Sequence, residues 1–441
     1  MNYREALEYM YAQLPMFQRI GPAAYKKDLT NTIALLDVLG HPEQQFACIH
    51  VGGTNGKGSV SNMLASICAE AGYTTGLYTS PHLVDFRERI RVNGVMCDEA
   101  FVAECITNLQ TEIERIKPSF FEITVAMAFA WFAKCGVDIA IVEVGLGGRL
   151  DSTNVITPLV SVITNISFDH MQMLGNTLPE IAFEKAGIIK PGIPVVIGES
   201  HPETMPIFEK QALQRQSTLF AADENVHIEL LEQTTFALQV HIDYLAQLKY
   251  PHLECPLTGL YQLKNLATVI QAVEVMRMQQ VDISDDAVYE GIKQVYQNTG
   301  FAGRWQVLQQ DPLVVADCAH NSGGLALLFE QVRTLTYTRL HIVTGAVQDK
   351  DLDASLSLFP VDAVYYFCKP DIPRGLDSEG LQAKAATYNL TGKAYTKVSS
   401  ALENALQEAG QNDCVLICGS IFVVAEALPA YAQWRESRHS S

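Results

Sequence analysis

The stretch His50-Val51-Gly52-Gly53-Thr54-Asn55-Gly56-Lys57-Gly58-Ser59 limits the possible folds more than any other part of the chain. An apolar run from Phe46 to Val51 precedes it and reads as a buried strand; a helical pattern from Val60 to Ala71 follows. Strand, glycine-rich loop and helix in that order form a phosphate cradle. The backbone N–H groups of such a loop point inward, the helix N-terminus adds positive potential, and a lysine reaches the outer phosphates. The implied ligand is a nucleoside triphosphate. The alternative is a glycine-rich turn that binds nothing.

The stretch departs from the common G-x-x-x-x-G-K-[ST] pattern twice. Val51 stands where the first glycine belongs, and Gly58 follows Lys57 where a hydroxyl would bind magnesium. A metal ligand must therefore come from elsewhere in the chain.

At 441 residues the chain has room for two or three domains and a large core. Its net charge of −18 argues against binding nucleic acid or an anionic membrane. An anionic substrate would need a local basic pocket working against that field. The ten cysteines show no C-x-x-C pairs, so they read as reduced thiols of a cytoplasmic protein. The polar start, Met1 to Glu5, has no secretory character, and the apolar stretch Val125–Cys135 is too short to span a bilayer.

Apolar, β-branched runs alternate with helical patterns over most of the length. Helices are expected at Tyr3–Leu14 and Leu29–Leu39, around a loop with Phe17, Gly21 and Pro22. Strands are expected at Phe46–Val51, Thr75–Tyr78, Ile139–Val144, Val160–Ile166 and Val195–Gly198. The alternation predicts an α/β fold with a mostly parallel sheet covered on both faces. Three short antiparallel strands at the edge of the first domain are expected over 226–250, then helices at Leu260–Met278 and Ser284–Val295. A break at Asn298-Thr299-Gly300 places the domain boundary there, giving an ATP-binding domain over 1–298 and a smaller Rossmann-like α/β domain over 299–441. Its strands are expected at Leu313–Ala316, Leu340–Thr344, Ala363–Phe367 and Cys414–Cys418.

Ligands of parallel sheets bind beyond the carboxyl ends of the strands, and polar clusters stand at those places. Thr79-Ser80-Pro81-His82 offers a hydroxyl that could replace the missing magnesium ligand, or a plain turn. Arg87, Arg89 and Arg91, two apart, could share one strand face and attract an anion, or be a solvated face. Glu143 ends an apolar strand, where a carboxylate is costly unless paired or metal-bound. Asp169-His170 offers a second metal ligand. Lys185 closes a helix stopped by Gly187 and Pro191-Gly192, and alone reads as ordinary dipole compensation. In the second domain Arg304, Asp317-Cys318-Ala319-His320-Asn321, Asp349-Lys350-Asp351 and Gly419-Ser420 suggest another binding face.

In order and at these spacings, GTNGKGS at 53–59, TSPHL at 79–83, ERIRV at 88–92, FFE at 120–122, EVGLGGRLDSTN at 143–154, FDHMQMLG at 168–175, EKAGIIKPG at 184–192, GRW at 303–305, DCAHN at 317–321 and DKD at 349–351 resemble the folylpolyglutamate synthase and dihydrofolate synthase family, relatives of the Mur ligases. The resemblance covers nearly the whole chain. It implies a cytoplasmic, monomeric, ATP-dependent ligase that joins L-glutamate to a folate-type carboxylate through an acyl phosphate shielded by domain closure. Magnesium ligands carry over onto Ser80, Glu143 and His170, with two Mg2+ ions expected. Lys185 carries over as a carbamylated lysine. Lys57, Lys185, His170 and His320 are the implied catalytic residues. Nucleotide contacts carry over onto Thr54, Asn55, Gly56, Lys57, Gly58, Ser59, Asn265, Arg304 and Asp317. Substrate contacts carry over onto Arg89, Phe121, Glu122, Leu150, Asp151 and Ser152, and the GGRLD form at 147–151 implies use of dihydropteroate as well as reduced folates. Three alternatives remain: a pure polyglutamate synthase, a Mur-type amino-acid ligase, and a nucleotide-binding module without catalysis. Only 52 residues precede Gly53, few for the substrate domain a Mur ligase carries there.

Overall fold

A computed structural model describes residues 1–15, 28–348 and 352–439. The loop expected around Phe17, Gly21 and Pro22 and the Asp349-Lys350-Asp351 cluster lie outside the described residues. The chain divides into two compact units. The first is Met1–Gln233, Leu238–Pro256 and Gln262–Phe301; the second is Thr234–Ala237, Leu257–Tyr261 and Ala302–Ser441.

The first unit holds strands β1 (Ala47–Gly52), β2 (Thr75–Tyr78), β3 (Ile90–Val92), β4 (Val95–Met96), β5 (Ile139–Glu143), β6 (Val160–Ile163), β7 (Val195–Ile197) and β8 (Leu219–Ala221). They form one sheet in the order β4-β3-β2-β5-β1-β6-β7-β8. All neighbours from β2 to β8 run parallel, and β3 and β4 pair antiparallel at one edge. Every residue of β2, β5, β6 and β7 is buried, the mark of strands covered on both faces.

The covering helices are α1 (Tyr3–Gln13), α2 (Thr30–Val38), α3 (Lys57–Glu70), α4 (Glu99–Ile116), α5 (Phe120–Lys134), α6 (Leu178–Ala186), α7 (Met205–Arg215), α8 (Gln262–Met278) and α9 (Asp285–Lys293). α1, α2, α4 and α5 share one core cluster with Tyr78, Ala140 and Val142. α6 and α7 share another with Ile163, Val195 and Ile197. α5 is buried on nearly every face, as its uniformly apolar sequence requires. Among the described residues no helix is long and apolar enough to cross a membrane.

Strands β9 (Val226–Gln233), β10 (Leu238–Tyr244) and β11 (Gln247–Cys255) are antiparallel as expected and form a separate three-stranded sheet. Leu245 and Ala246, expected within a strand, instead make the β10–β11 turn with φ of 49° and 61°. Both signs are what a tight two-residue hairpin demands.

The second unit has strands β12 (Gln306–Gln309), β13 (Leu313–Ala316), β14 (Leu340–Thr344), β15 (Val364–Cys368), β16 (Gly392–Tyr395) and β17 (Cys414–Cys418) in the order β12-β13-β17-β14-β15-β16. All pairs are parallel except β12 with β13. Helices α10 (Ser322–Arg333), α11 (Ser378–Ala386), α12 (Val398–Glu408) and α13 (Ile421–His439) complete it. The apolar inner strands follow the sequence expectation closely. The short edge strands β4, β8, β12 and β16 escape it because edge positions bury little and need no apolar run, and β3, one place in from the edge, is only three residues long.

Candidate active site

β1 ends at Gly52 and the loop runs straight into α3, whose N-cap is Gly56. Gly56 adopts φ 83°, and a Cβ there would meet Asn265 Oδ1 at 2.3 Å. Only glycine fits both demands. Asn265 therefore lies directly against the loop, and its Nδ2 donates to Gln262 Oε1 at 2.7 Å while Gln262 Nε2 donates to Ser59 Oγ at 3.2 Å.

The other side of the loop is held by the segment after β6. Thr164 Oγ1 donates to the Asn55 carbonyl at 2.5 Å, Asn165 Oδ1 accepts from Asn55 N–H at 2.9 Å, and Ser167 pairs with Thr54 and Asn55. Reading the strand through Ile166 hides these residues. The strand stops at Ile163, and that early stop turns Thr164 and Asn165 toward the loop.

Two lysines converge on one carbonyl. Lys57 Nζ donates to Gly53 O at 3.1 Å and to Thr54 O at 3.0 Å; Lys185 Nζ donates to Gly53 O at 2.8 Å. Lys185 is 4% exposed. Burial first, and then the nearby Lys57 charge, bring its ammonium down to about 7, against the opposing pull of Asp169 and Asp151. An amine neutral in part at neutral pH is far from the ordinary dipole-compensating charge that the sequence alone suggests. The helix stops as expected, but Gly187 keeps a right-handed backbone with φ −62°. Glycine is needed there because a Cβ would sit 2.3 Å from Arg149 Cβ.

Glu143 is buried at the end of β5, and its Oε2 accepts from Ser80 N–H at 3.0 Å. Its Oε1 lies 3.9 Å from where a Cβ on Gly58 would stand. A buried carboxylate beside the one loop position lacking a hydroxyl has the right donor chemistry for a hard divalent cation that also takes phosphate oxygens. His170 begins the single turn Met171–Leu174 in a left-handed conformation, φ 50°, with Asp169 Oδ2 3.8 Å from its Nε2. Among the described residues no three His, Cys, Asp or Glu side chains gather as a metal cage. In the set Ser80, Glu143 and His170 the hydroxyl and the carboxylate are hard oxygen donors of the kind magnesium takes, and His170 adds a nitrogen.

The three arginines do not share a strand face. Asp85 and Glu88 form a capping box that folds Phe86–Arg89 into a 3₁₀ turn, so the period-two spacing is broken. Arg87 pairs with Asp85 at 2.8 Å, and Arg91 donates to Gly94 O at 2.9 Å. Arg89 alone is buried. Its Nε donates to His82 Nδ1 at 2.8 Å and its guanidinium lies 5.5 Å from the Phe120 ring centre. Burial lowers its pKa, opposed by Tyr78, Tyr11 and Glu143.

Phe121 packs so closely on Gly145 that a Cβ there would meet its ring at 2.3 Å, and it lies 6.2 Å from the Tyr78 ring. Glu122 Oε2 caps α5 by accepting from Ser119 N–H at 2.5 Å and takes Asn31 Nδ2 at 3.3 Å; its Oε1 is buried without a partner. Asp151 is buried, accepts from Leu146 N–H, Thr153 N–H and Thr153 Oγ1, and its pKa is raised by burial against those hydrogen bonds. Ser152 follows it in the buried turn Ser152–Val155, and Leu150 is half-buried.

In the second unit Asp317 follows β13. Its Oδ2 accepts from Tyr261 OH at 2.8 Å and Trp305 N–H at 2.7 Å, and its Oδ1 from Ala319 N–H at 2.8 Å. Tyr261 is thus a partner of Asp317 that spacing alone does not single out. Arg304 Nη1 donates to Gly303 O at 3.0 Å, His320 Nδ1 lies 2.9 Å from Cys318 O, and Asn321 caps α10.

Known proteins resemble this chain over most of its length. The Mur ligase middle domain matches residues 51–273, and the Mur ligase glutamate ligase domain matches residues 303–421. The dihydrofolate synthase/folylpolyglutamate synthase of Bacillus subtilis is 33% identical, over 96% of this chain and 98% of its own length. The chain belongs to the dihydrofolate synthase/folylpolyglutamate synthase family of Mur ligases. Among solved structures, Escherichia coli FolC in complex with DHPP and ADP superposes with a TM-score of 0.86 at 27% identity, covering 99% of both chains. A Mycobacterium tuberculosis folylpolyglutamate synthase complexed with ADP and AMPPCP gives 0.85 at 29% identity, covering 98% of this chain and 99% of that one. The probable bifunctional folylpolyglutamate synthase/dihydropteroate synthase of Haloferax volcanii is 34% identical, and this ligase spans about half of its length, 50%.

Proposed function

We propose that this ligase uses ATP to join L-glutamate to 7,8-dihydropteroate, forming dihydrofolate, and to reduced folates, forming folylpolyglutamates. The observation that carries the reading is the phosphate loop with two lysines on the Gly53 carbonyl and a buried Glu143 beside Gly58. ATP transfers its γ-phosphoryl group to the acceptor carboxylate. The glutamate amine attacks the resulting acyl phosphate and inorganic phosphate leaves.

In this reading Thr54, Asn55, Gly56, Gly58 and Ser59 cradle the phosphates, with Asn265, Arg304 and Asp317 as further nucleotide contacts. Lys57 leaves its two carbonyl partners to neutralise charge developing on the transferred group. Ser80, Glu143 and His170 would hold magnesium, which supplies charge neutralisation on the phosphate oxygens when bound. Arg89, Phe121, Glu122, Leu150, Asp151 and Ser152 bind the acceptor: an aromatic face for a flat ring, and buried carboxyls that take its donors. His320 acts beside the incoming glutamate.

Carbamylation of Lys185 is part of the proposal. The ammonium first gives a proton to water; the neutral amine then adds to carbon dioxide, forming an N–C bond and releasing a second proton, so a cation becomes an anion. The lowered pKa of Lys185 supports this. The test is glutamate-dependent phosphate release from MgATP, run separately with dihydropteroate and with a reduced folate. Release with both is expected. Release with the folate alone removes the dihydropteroate activity, and release with neither removes the whole reading.

A further inference from the structure

The overall charge of −18 makes one cavity in the first unit stand out. It holds 760 Å³ and, among the described residues, is lined by three cations, Arg149, Lys190 and Arg215, and by no carboxylate. Arg149 is already engaged, with Glu184 at 2.9 Å and the Phe183 ring at 5.7 Å. Lys190 and Arg215 form no ion pair among the described residues; Lys190 Nζ donates only to the Asn154 carbonyl, at 2.7 Å. Burial and then the like charge of Arg215 push the Lys190 ammonium below the usual lysine range. Two cations held close without an anion between them are unfavourable, and a bound anion relieves the repulsion.

A second observation narrows the anion. Asn154 lines the cavity, and its Nδ2 donates to Arg149 O and Gly187 O, each at 3.1 Å. Two carbonyl acceptors fix the amide orientation, so the unbonded end is the oxygen, and Oδ1 is buried without a partner. Asn154 Oδ1 therefore lacks an N–H donor, and Lys190 and Arg215 lack a negative charge. Side-chain shifts of the kind common on binding would open Oδ1 to a ligand. Phe183 and Ile189 add apolar wall.

We infer that this cavity binds the polyglutamate tail of a folate substrate or product, an inference that rests on the proposed ligase activity. A polyglutamate presents carboxylates for Lys190 and Arg215, amide N–H groups for Asn154 Oδ1, and methylenes for Phe183. Inorganic phosphate matches the charge but brings neither amide nor methylene. Gly187, which lines the cavity and whose carbonyl holds Asn154 Nδ2, stands two residues after Lys185, whose Nζ reaches the phosphate loop.

The test compares wild type with Lys190→Gln, Arg215→Gln and the double variant. For a folate bearing four glutamates, KM rises about tenfold in the double variant, the scale of one lost charge-assisted contact. KM for ATP and for a monoglutamyl folate stays within about twofold, because the lost contact belongs to the tail. Calorimetry with a tri-glutamate peptide shows binding to wild type that the double variant loses. Should Lys190→Gln lower the melting temperature, Arg215→Gln, an exposed side chain, carries the comparison alone. An unchanged KM for the long-tailed folate, in an enzyme active on the monoglutamate, overturns the tail site and leaves the ligase reading intact. Inactivity of wild type with every folate overturns the ligase reading instead. Binding of inorganic phosphate with the same dependence on Lys190 and Arg215, without binding of the peptide, makes this a phosphate site and also overturns the inference.

Discussion

The turn after β1 and the turn after β13 solve the same geometric problem with opposite charge. Each follows a parallel strand and leads to a helix, the place where α/β sheets present backbone N–H groups. The first collects cations: Lys57 and Lys185 share the Gly53 carbonyl. The second collects one buried carboxylate, Asp317, bound by Tyr261 OH and two backbone N–H groups. The backbone arrangement makes a binding site available, and the side chains decide whether it attracts a polyanion or a hydroxyl and amine donor. The cationic turn is also the less comfortable of the two. Asp317 is satisfied on both oxygens, whereas the Lys185 ammonium is disfavoured by its burial and by the nearby Lys57 charge.

The largest effect expected is at Lys57. Lys57→Ala removes the charge aimed at the transferred group, and glutamate-dependent phosphate release falls about 100-fold or more. Turnover near wild type would break the contrast, since the first turn would then not need its cation. Lys185→Met should cost about tenfold or more in kcat, the rate equivalent of one lost charge-assisted contact. Wild-type activity should also fall in bicarbonate-depleted buffer and recover when bicarbonate returns, with Lys185→Met indifferent.

Lys185 also makes a stability prediction with a defined sign. Its folded value of about 7 lies below the unfolded lysine value of about 10.4. The folded state releases the proton first. The cost of burying the ammonium is therefore fully present below pH 7 and is relieved as pH rises from about 7 toward 10. Chemical denaturation of the ligand-free protein should show wild type gaining stability over that window relative to Lys185→Met. Parallel curves for the two proteins would mean the amine is not desolvated.

Smaller effects are expected on the anionic side. Asp317→Asn leaves Tyr261 and the Trp305 and Ala319 amides with a poorer acceptor and costs about 1–3 kcal/mol of stability, read from urea unfolding. Its KM for ATP should rise more than kcat falls. The smallest change is Thr164→Val, which removes the hydroxyl bonded to the Asn55 carbonyl and costs about 1 kcal/mol. It should raise KM for ATP a few-fold through a looser loop. A loss as large as that at Lys57 would make Thr164 a participant in the chemistry rather than a brace.

Much of the fold is legible in the sequence where burial is extreme. The inner strands β2, β13, β14 and β17 have the expected bounds because strands buried on both faces are predominantly apolar. The edge strands are illegible for the converse reason. The arginine triplet shows how a period-two pattern misleads: the Asp85–Glu88 capping box turns the backbone before a strand can form. Among site residues, those carried by local motifs, such as Lys57, Gly56 and Glu143, are visible in order along the chain. Thr164, Asn165 and Tyr261 are not, because their partners lie far away in sequence.

Sequence alone determined the phosphate loop, since its glycines, its helix start and its lysine act over one turn of chain. It determined the α/β class through the alternation of apolar runs and helical periods, and it pointed to the family through motifs in order. Tertiary structure alone decided which charges are buried and what they face. The register of β1 between β5 and β6 brings Glu143 to Gly58, and the packing of α6 brings Lys185 to a carbonyl 132 residues away. A lysine's chemistry depends on its solvent and its neighbours, and both are properties of the folded molecule.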